Sequence, residues 1–432
     1  MSQYTELLNI EAETLSPDDD DYEEKLLEIS SLFRGFGDAL TDFIKEHEYK
    51  GNENDVTAKV KFLNEKFKAS NIKPPRDIKA WFSPNKKISR KTAFQICFAF
   101  GLNVNETNEF FRTVQFERGF DCHDIDEAVY YFCIKNRLSF FDAQAIIGQI
   151  PKATKIKAIP NREVLYTGTI IEYIDSINDK EKLIKYITDN IDNFKYNNTT
   201  AIGYIQKLWD DISKPNGLAE KEGSILDEFN RFEDKSKKKE NETDIRLKEV
   251  VESEVNDQVK NVRPNDFVVA DSNSSTWIIF SQIIGLSNYQ ENEFAVKFDR
   301  SLSSVLSGNR LLPLKADYCF PNRQNIDKLI RGDLVGENEI IRKMLIFLVF
   351  YTYWAKLIVD SNDELYKAKL SDSERCLDMI NNYLLDAGYQ ELYAGNPYDW
   401  LFKWALNDEY PLNAFREYMN EVFAVKSEDT EN

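Results

Sequence analysis

Apolar residues recur at helical spacing along most of this chain. Ile125, Ala128, Val129, Phe132 and Cys133 fall three and four apart, which is one face of an α-helix. Asp124 and Glu127 stand at its start as a capping pair. Ser139 opens a second helix whose Ala143, Ile146 and Ile147 face inward. The pattern returns as Tyr398, Leu401, Phe402, Ala405 and Leu406, each 273 positions after its counterpart. Phe415, Tyr418 and Met419 lie 272 positions after Ala143, Ile146 and Ile147. The aromatic lead-ins agree: Phe116 and Phe120 before the first pair of helices, Tyr389 and Tyr393 before the second. One shared stripe would mean little, but two consecutive helices in near-constant register predict a diverged internal repeat.

Between Pro74 and Phe111 the pattern changes from basic and turn-rich to fully apolar. Pro74 and Pro75 suit the first positions of a helix, so a short one is expected here, carrying Arg76, Lys79 and Trp81. Ile78 and Phe82, four apart, would share its inner face. Ser83-Pro84-Asn85 reads as a turn, and Ser89 as the N-cap of a buried helix from Ala93 to Phe100. Gly101 closes that helix in the left-handed position. Asn103 with Glu106 forms a capping box for a further helix through Phe110 and Phe111.

Elsewhere, Ile202, Ile205, Leu208, Trp209 and Ile212 stripe a helical middle region from Arg162 to Asn230. Residues 231–261 are charged and poor in aromatics, an exposed helix or a linker. Val268 with Val269, and Phe294 to Phe298, are candidates for short strands. Met344 to Ala355 is the most hydrophobic segment, but it falls short of the roughly twenty residues of a membrane span and reads as a core helix. Just upstream, Pro321-Asn322-Arg323, Ile326 and Arg342-Lys343 echo Pro75-Arg76, Ile78 and Arg90-Lys91. The expected fold is mainly α and multi-helical, the C-terminal module looking like a diverged repeat of the N-terminal one. The expected divisions are an acidic segment 1–30, helical domains 31–158 and 263–425, a middle region 159–230, a charged stretch 231–262 and a tail 426–432.

Charge adds a contrast to this picture. The net charge is −19, yet residues 55–94 hold eleven Lys or Arg against three Asp or Glu. A basic edge on an acidic body is compatible with nucleic acid, since phosphate contacts act within a Debye length of about 8 Å. A solvated helix face is the plain alternative. Two histidines, His47 and His123, limit histidine chemistry. Cys122, His123 and Cys133 fit no zinc-knuckle spacing, and His123 reads as a residue just ahead of a helix. No phosphate loop, dinucleotide fingerprint or hydrolase motif occurs, so no catalytic residue, metal or cofactor is expected. Five scattered cysteines and an acidic N-terminus without an apolar core segment point to the cytosol, with no membrane partner.

The run "ISRKTAFQICFAFGLNVNETNEFF", with the short basic segment before it, resembles the second half of an Xre/Cro-type helix-turn-helix domain. That resemblance implies that Arg76 and Lys79 face the major groove, and that Lys73, Lys86, Lys87, Arg90 and Lys91 lie near phosphate. Blocks such as "SSTWIIFSQIIGL", "IIRKMLIFLVFYTYW" and "NPYDWLFKWAL" are similar to a family of uncharacterised, helix-rich Firmicutes proteins, which implies a bacterial cytosolic origin and brings no activity with it. The leading expectation is a DNA-binding transcriptional regulator whose C-terminal module dimerises or senses. A non-enzymatic protein-interaction scaffold is the second, and an enzyme is a distant third.

Overall fold

The computed structural model describes residues 3–15, 25, 28–29, 32–83, 86, 88–151, 167–191, 194, 198–227, 269–285, 323–333, 338–362 and 366–423. The charged stretch 231–261, the acidic run 18–24, Pro84-Asn85, Val268, residues 294–298 and Lys87 lie outside the described residues. Those described are helical or in connecting turns, with no strand among them. Val269, one of the candidate strand residues, is in coil.

The N-terminal half runs through α1 (Gln3–Thr14), α2 (Phe36–Glu46), α3 (Val56–Ala69), a 3₁₀ turn (Ile78–Phe82), α4 (Arg90–Ala99) and α5 (Val104–Phe110). A π-helical turn (Phe111–Gln115) follows, then α6 (Ile125–Lys135) and α7 (Phe140–Ile147). Next come α8 (Thr167–Ser176), α9 (Lys180–Asp189) and α10 (Thr199–Ser213). The C-terminal half holds α11 (Thr276–Ile283), α12 (Arg323–Ile330), α13 (Asn338–Ser361), α14 (Leu370–Asp386), α15 (Pro397–Ala405) and α16 (Pro411–Phe423).

Local signals set most of the helix ends. Ser89 Oγ accepts from Thr92 N at 3.3 Å, Gly101 takes φ 63°, and Asn103 and Glu106 close a reciprocal capping box. Ser139 and Asp142 close another. Asp124 caps α6, but Glu127 does not complete its box; its side chain turns toward Arg90 and Asp121 instead.

The chain does not divide into the sequential domains the pattern implied. It forms two compact units, each discontinuous: Met1–Gln206 with Asn309–Phe347 and Leu377–Trp404, and Lys207–Gly308 with Leu348–Cys376 and Ala405–Asn432. The reason in the first unit is visible in long-range side-chain bonds. Trp400 Nε1 donates to Leu8 O at 2.8 Å and Trp404 Nε1 to Leu15 O at 2.9 Å, fastening α15 to the N-terminal helix. Around Phe94 the first unit packs an aromatic core, with Phe111, Tyr130 and Phe120 centroids at 4.6, 5.0 and 5.2 Å. Removing a ring of that kind costs about 3–5 kcal/mol.

The second unit is organised around an ion pair. Arg416 of α16 donates to Glu222 at 2.7 Å inside the fold, and Tyr351 Oη donates to the same carboxylate at 3.4 Å. Gly285, at φ 85°, lies where a Cβ would meet the Arg416 side chain at 2.6 Å, so only glycine fits there. Among the described residues one helix, Asn338–Ser361, is long and apolar enough to cross a membrane by length and composition, and 61% of its most apolar window is buried in the fold.

Candidate nucleic-acid interface

The segment expected to present a recognition helix does not form one. Arg76 and Asp77 lie in a turn, and Lys79 sits on a 3₁₀ helix of five residues. Pro75 disfavours helical dihedrals at the residue before it. In a 3₁₀ helix residues three apart eclipse, so Ile78 and Trp81, rather than Ile78 and Phe82, point together into the core. Trp81 meets Phe36 and Phe67 edge-on, with centroids 6.5 and 6.3 Å away. Gly37 permits this contact, because a Cβ there would meet Trp81 O at 2.8 Å. The turn is packed tightly on α2 and α3, and its side chains cannot enter a groove as a helix would.

The cations sort into two groups. Lys73, Arg76, Lys79, Lys86 and Lys91 are exposed and have no ion-pair partner among the described residues. Lys61 and Lys68 on α3 share that condition. Sequence reasoning passed over these two, although they lie off the Leu63–Phe67 stripe and the pattern carried the signal. Other cations of the same stretch are used internally. Lys59 is buried over the Phe82 ring and donates to Thr41 Oγ1 at 3.0 Å, and burial lowers its pKa. Lys66 pairs with Glu48 at 2.9 Å.

Arg90 requires a correction. Expected near phosphate, it is instead the centre of an internal clamp, with only 21% of its side chain exposed. Its Nε and Nη2 donate to the two oxygens of Glu127 at 2.7 and 2.8 Å, in bidentate geometry. Nη1 donates to Glu117 at 3.2 Å and to Arg118 O at 2.9 Å, and Nη2 also donates to Gly119 O at 2.6 Å. Burial works against the charge, but Glu127 and then Glu117 outweigh it and hold the guanidinium protonated. Glu127 in turn accepts from Asp121 N at 2.7 Å. No phosphate can reach this arginine without breaking the clamp.

A second clamp has the same frame. Arg342 of α13 donates to Asp399 Oδ1 and Oδ2 at 2.6 and 2.8 Å and to Gln390 O at 3.4 Å. Asp399 accepts from Tyr393 N at 2.9 Å. The three loop-side positions pair at a spacing of 272 (118 with 390, 121 with 393, 127 with 399). The caps keep that spacing, since Asp124 and Asn396 each accept from the backbone N–H two residues on, at 3.0 Å. Hydrogen bonding therefore aligns the two regions one residue earlier than the apolar stripes did. The following helices start at Phe140 and Pro411, 271 apart, so the distance from one helix start to the next is one residue shorter in the second pair. The two frames meet in the first unit, where Arg118 Cζ lies 4.7 Å from the Tyr389 ring centre and Gln390 Nε2 donates to Asn108 O at 2.8 Å.

Burial raises the thiol pKa of Cys97, Cys122, Cys133 and Cys376, so these stay protonated and unreactive at neutral pH. Among the described residues no group of three His, Cys, Asp or Glu is placed to hold a metal ion. His123 is buried next to Asp121. No protein-family model, no curated protein and no solved structure matches the chain.

Proposed function

We propose that this chain binds nucleic acid, duplex DNA first, through backbone phosphates along the edge formed by α3, the 3₁₀ turn and the start of α4. The regulator reading continues in that form: contact through charge, with the C-terminal half left for dimerisation or sensing. Arg76 and Lys79 hold phosphate rather than base edges in this reading, because the segment that carries them is too short and too firmly packed to enter the major groove. Sequence preference is therefore expected to be weak. One observation carries the proposal: exposed cations without acidic partners gather in one stretch of a chain whose net charge is −19.

The test is a salt titration of a fluorescent duplex, read by anisotropy. Log affinity should fall linearly with log salt, each lysine contact contributing about one unit of slope. Charge reversal at Lys79, Lys86 and Lys91 together should lower the slope by about three units, whereas reversal at Lys328 on α12 and Arg331 just past its end should leave it unchanged. Absence of binding at about 50 mM salt, or a slope indifferent to the triple variant, ends the proposal.

A protein-interaction scaffold is the second reading. It is favoured by Phe141 on α7, which is 76% exposed, since aromatic residues are enriched at interfaces. Phe141→Ser would abolish a protein contact there without altering duplex binding.

A further inference from the structure

A cavity of about 460 Å³ lies in the first unit, between α1, α2, the π-helical turn and residues 392–394. The nucleic-acid reading makes no use of it. Two of its walls are arginines laid over tyrosines. Arg34 Cζ is 4.1 Å from the Tyr4 ring centre, and its guanidinium pairs with Asp42. Arg112 Cζ is 4.9 Å from the Tyr393 ring centre, and its Nε and Nη2 donate to Glu109 at 2.9 and 2.7 Å. Both guanidiniums are thus held by a ring and neutralised by a neighbouring carboxylate. They shape the cavity without adding net charge to it.

Burial pushes the Tyr4 phenol up to about 12, so it stays protonated, and its oxygen accepts from Arg34 N at 3.2 Å. The phenol proton is left to donate. Phe43, Val114 and Phe116 supply apolar surface. Phe116 takes φ 55°, a strained value for a bulky aromatic, directly after the π turn. Turns of that kind concentrate at functional sites.

Two lining groups remain uncommitted. Lys403 is half-buried and Glu46 is exposed, and neither has an ion-pair partner among the described residues. The cavity therefore presents one available ammonium, one available carboxylate and one phenol donor around aromatic and apolar walls. Its complement carries one carboxylate and one ammonium on a partly apolar body. The volume lies within the roughly 300–1,000 Å³ of small-molecule sites.

We propose that this cavity binds a free α-amino acid or a short peptide. The ligand carboxylate sits on Lys403, with the Tyr4 hydroxyl as second donor, and the ligand ammonium sits on Glu46. The test is calorimetric titration of the full chain with the common L-amino acids and a panel of di- and tripeptides. The best binder is then titrated in N-acetylated form and, separately, with its carboxyl amidated. Each masked form should bind wild type about tenfold more weakly or worse. Glu46→Gln should remove the penalty for acetylation alone, and Lys403→Met the penalty for amidation alone. Neither substitution touches a cation of the nucleic-acid edge, so duplex binding and ligand binding fail or survive separately. The proposal is overturned if no zwitterion gives saturable heat up to about 10 mM. Masked forms that bind wild type as well as the parent overturn it too, as do penalties that outlast both substitutions.

Discussion

The two arginine clamps share a hydrogen-bond frame and differ in what surrounds them. Arg342 is nearly sealed, with 7% of its side chain exposed, and it answers one carboxylate, Asp399, which is 1% exposed. Arg90 is three times as exposed and answers two carboxylates, Glu127 and Glu117. The Arg90 clamp stands at the first residue of a helix among solvated cations, the Arg342 clamp at the fifth residue of a long apolar one. A bidentate pair to the third residue of a helix, braced by a backbone N–H six residues earlier, fixes how a loop docks onto a preceding helix whatever the surroundings. Replacing a buried pair of this kind by well-packed apolar residues is often neutral for stability, whereas removing one partner alone is costly. The surroundings then decide whether the outer face of that helix is free to be basic.

Breaking each clamp would sharpen the comparison. Arg342→Ala leaves Asp399 charged and buried, and should cost about 3–5 kcal/mol in urea unfolding. Replacing both partners, Arg342→Met with Asp399→Leu, should recover most of that loss. If the double variant is no better than the single, the clamp does more than satisfy its own charges. Arg90→Ala should cost less, about 2–3 kcal/mol, because Glu117 and Glu127 lie closer to water and can rehydrate. Equal losses at the two arginines would remove the distinction drawn between them.

A smaller difference is expected in acid. Position 121 is Asp in the first frame, and the equivalent position 393 is Tyr in the second. Burial opposes the Asp121 carboxylate, but Arg118, then His123 and Arg90, hold its pKa below the usual 3.8. A depressed carboxyl contributes stability in full above its unfolded value and loses it as pH falls through the folded one. Melting temperatures followed down from pH 5 should therefore drop less steeply below about pH 4 in Asp121→Asn than in wild type. Parallel curves would show that Asp121 is not linked to folding. Smallest of all, Asp142→Asn should weaken the α7 capping box by about 0.5–1 kcal/mol at neutral pH. The Ser139 hydroxyl is the main cause holding the Asp142 carboxyl below its usual value, so the difference should shrink as pH falls below that value.

Features carried by neighbours within four residues were legible in the chain. Ser89, Gly101, the Asn103–Glu106 pair and Ser139 end or begin helices as their chemistry requires. Apart from the half-buried Ile125, the apolar stripes of α6 and α15 are buried as their spacing implied. Features whose partner lies far along the chain were not legible. Glu127 looks like half of a capping pair until Arg90 is seen 37 residues away. Lys59 looks like one more surface cation until Phe82 closes over it. In the 3₁₀ turn Ile78 and Trp81 both reach the core against α2 and α3, and Gly37 leaves room for the turn's backbone beside it.

The chain's own pattern of spacing, caps and apolar stripes determined a mainly helical protein, because those signals act over one or two helical turns. Which arginines are structural and which face water was decided only in three dimensions. A guanidinium reads the same in sequence whether a carboxylate waits for it across the fold or not, and the difference between a buried clamp and a phosphate contact is made by that distant partner.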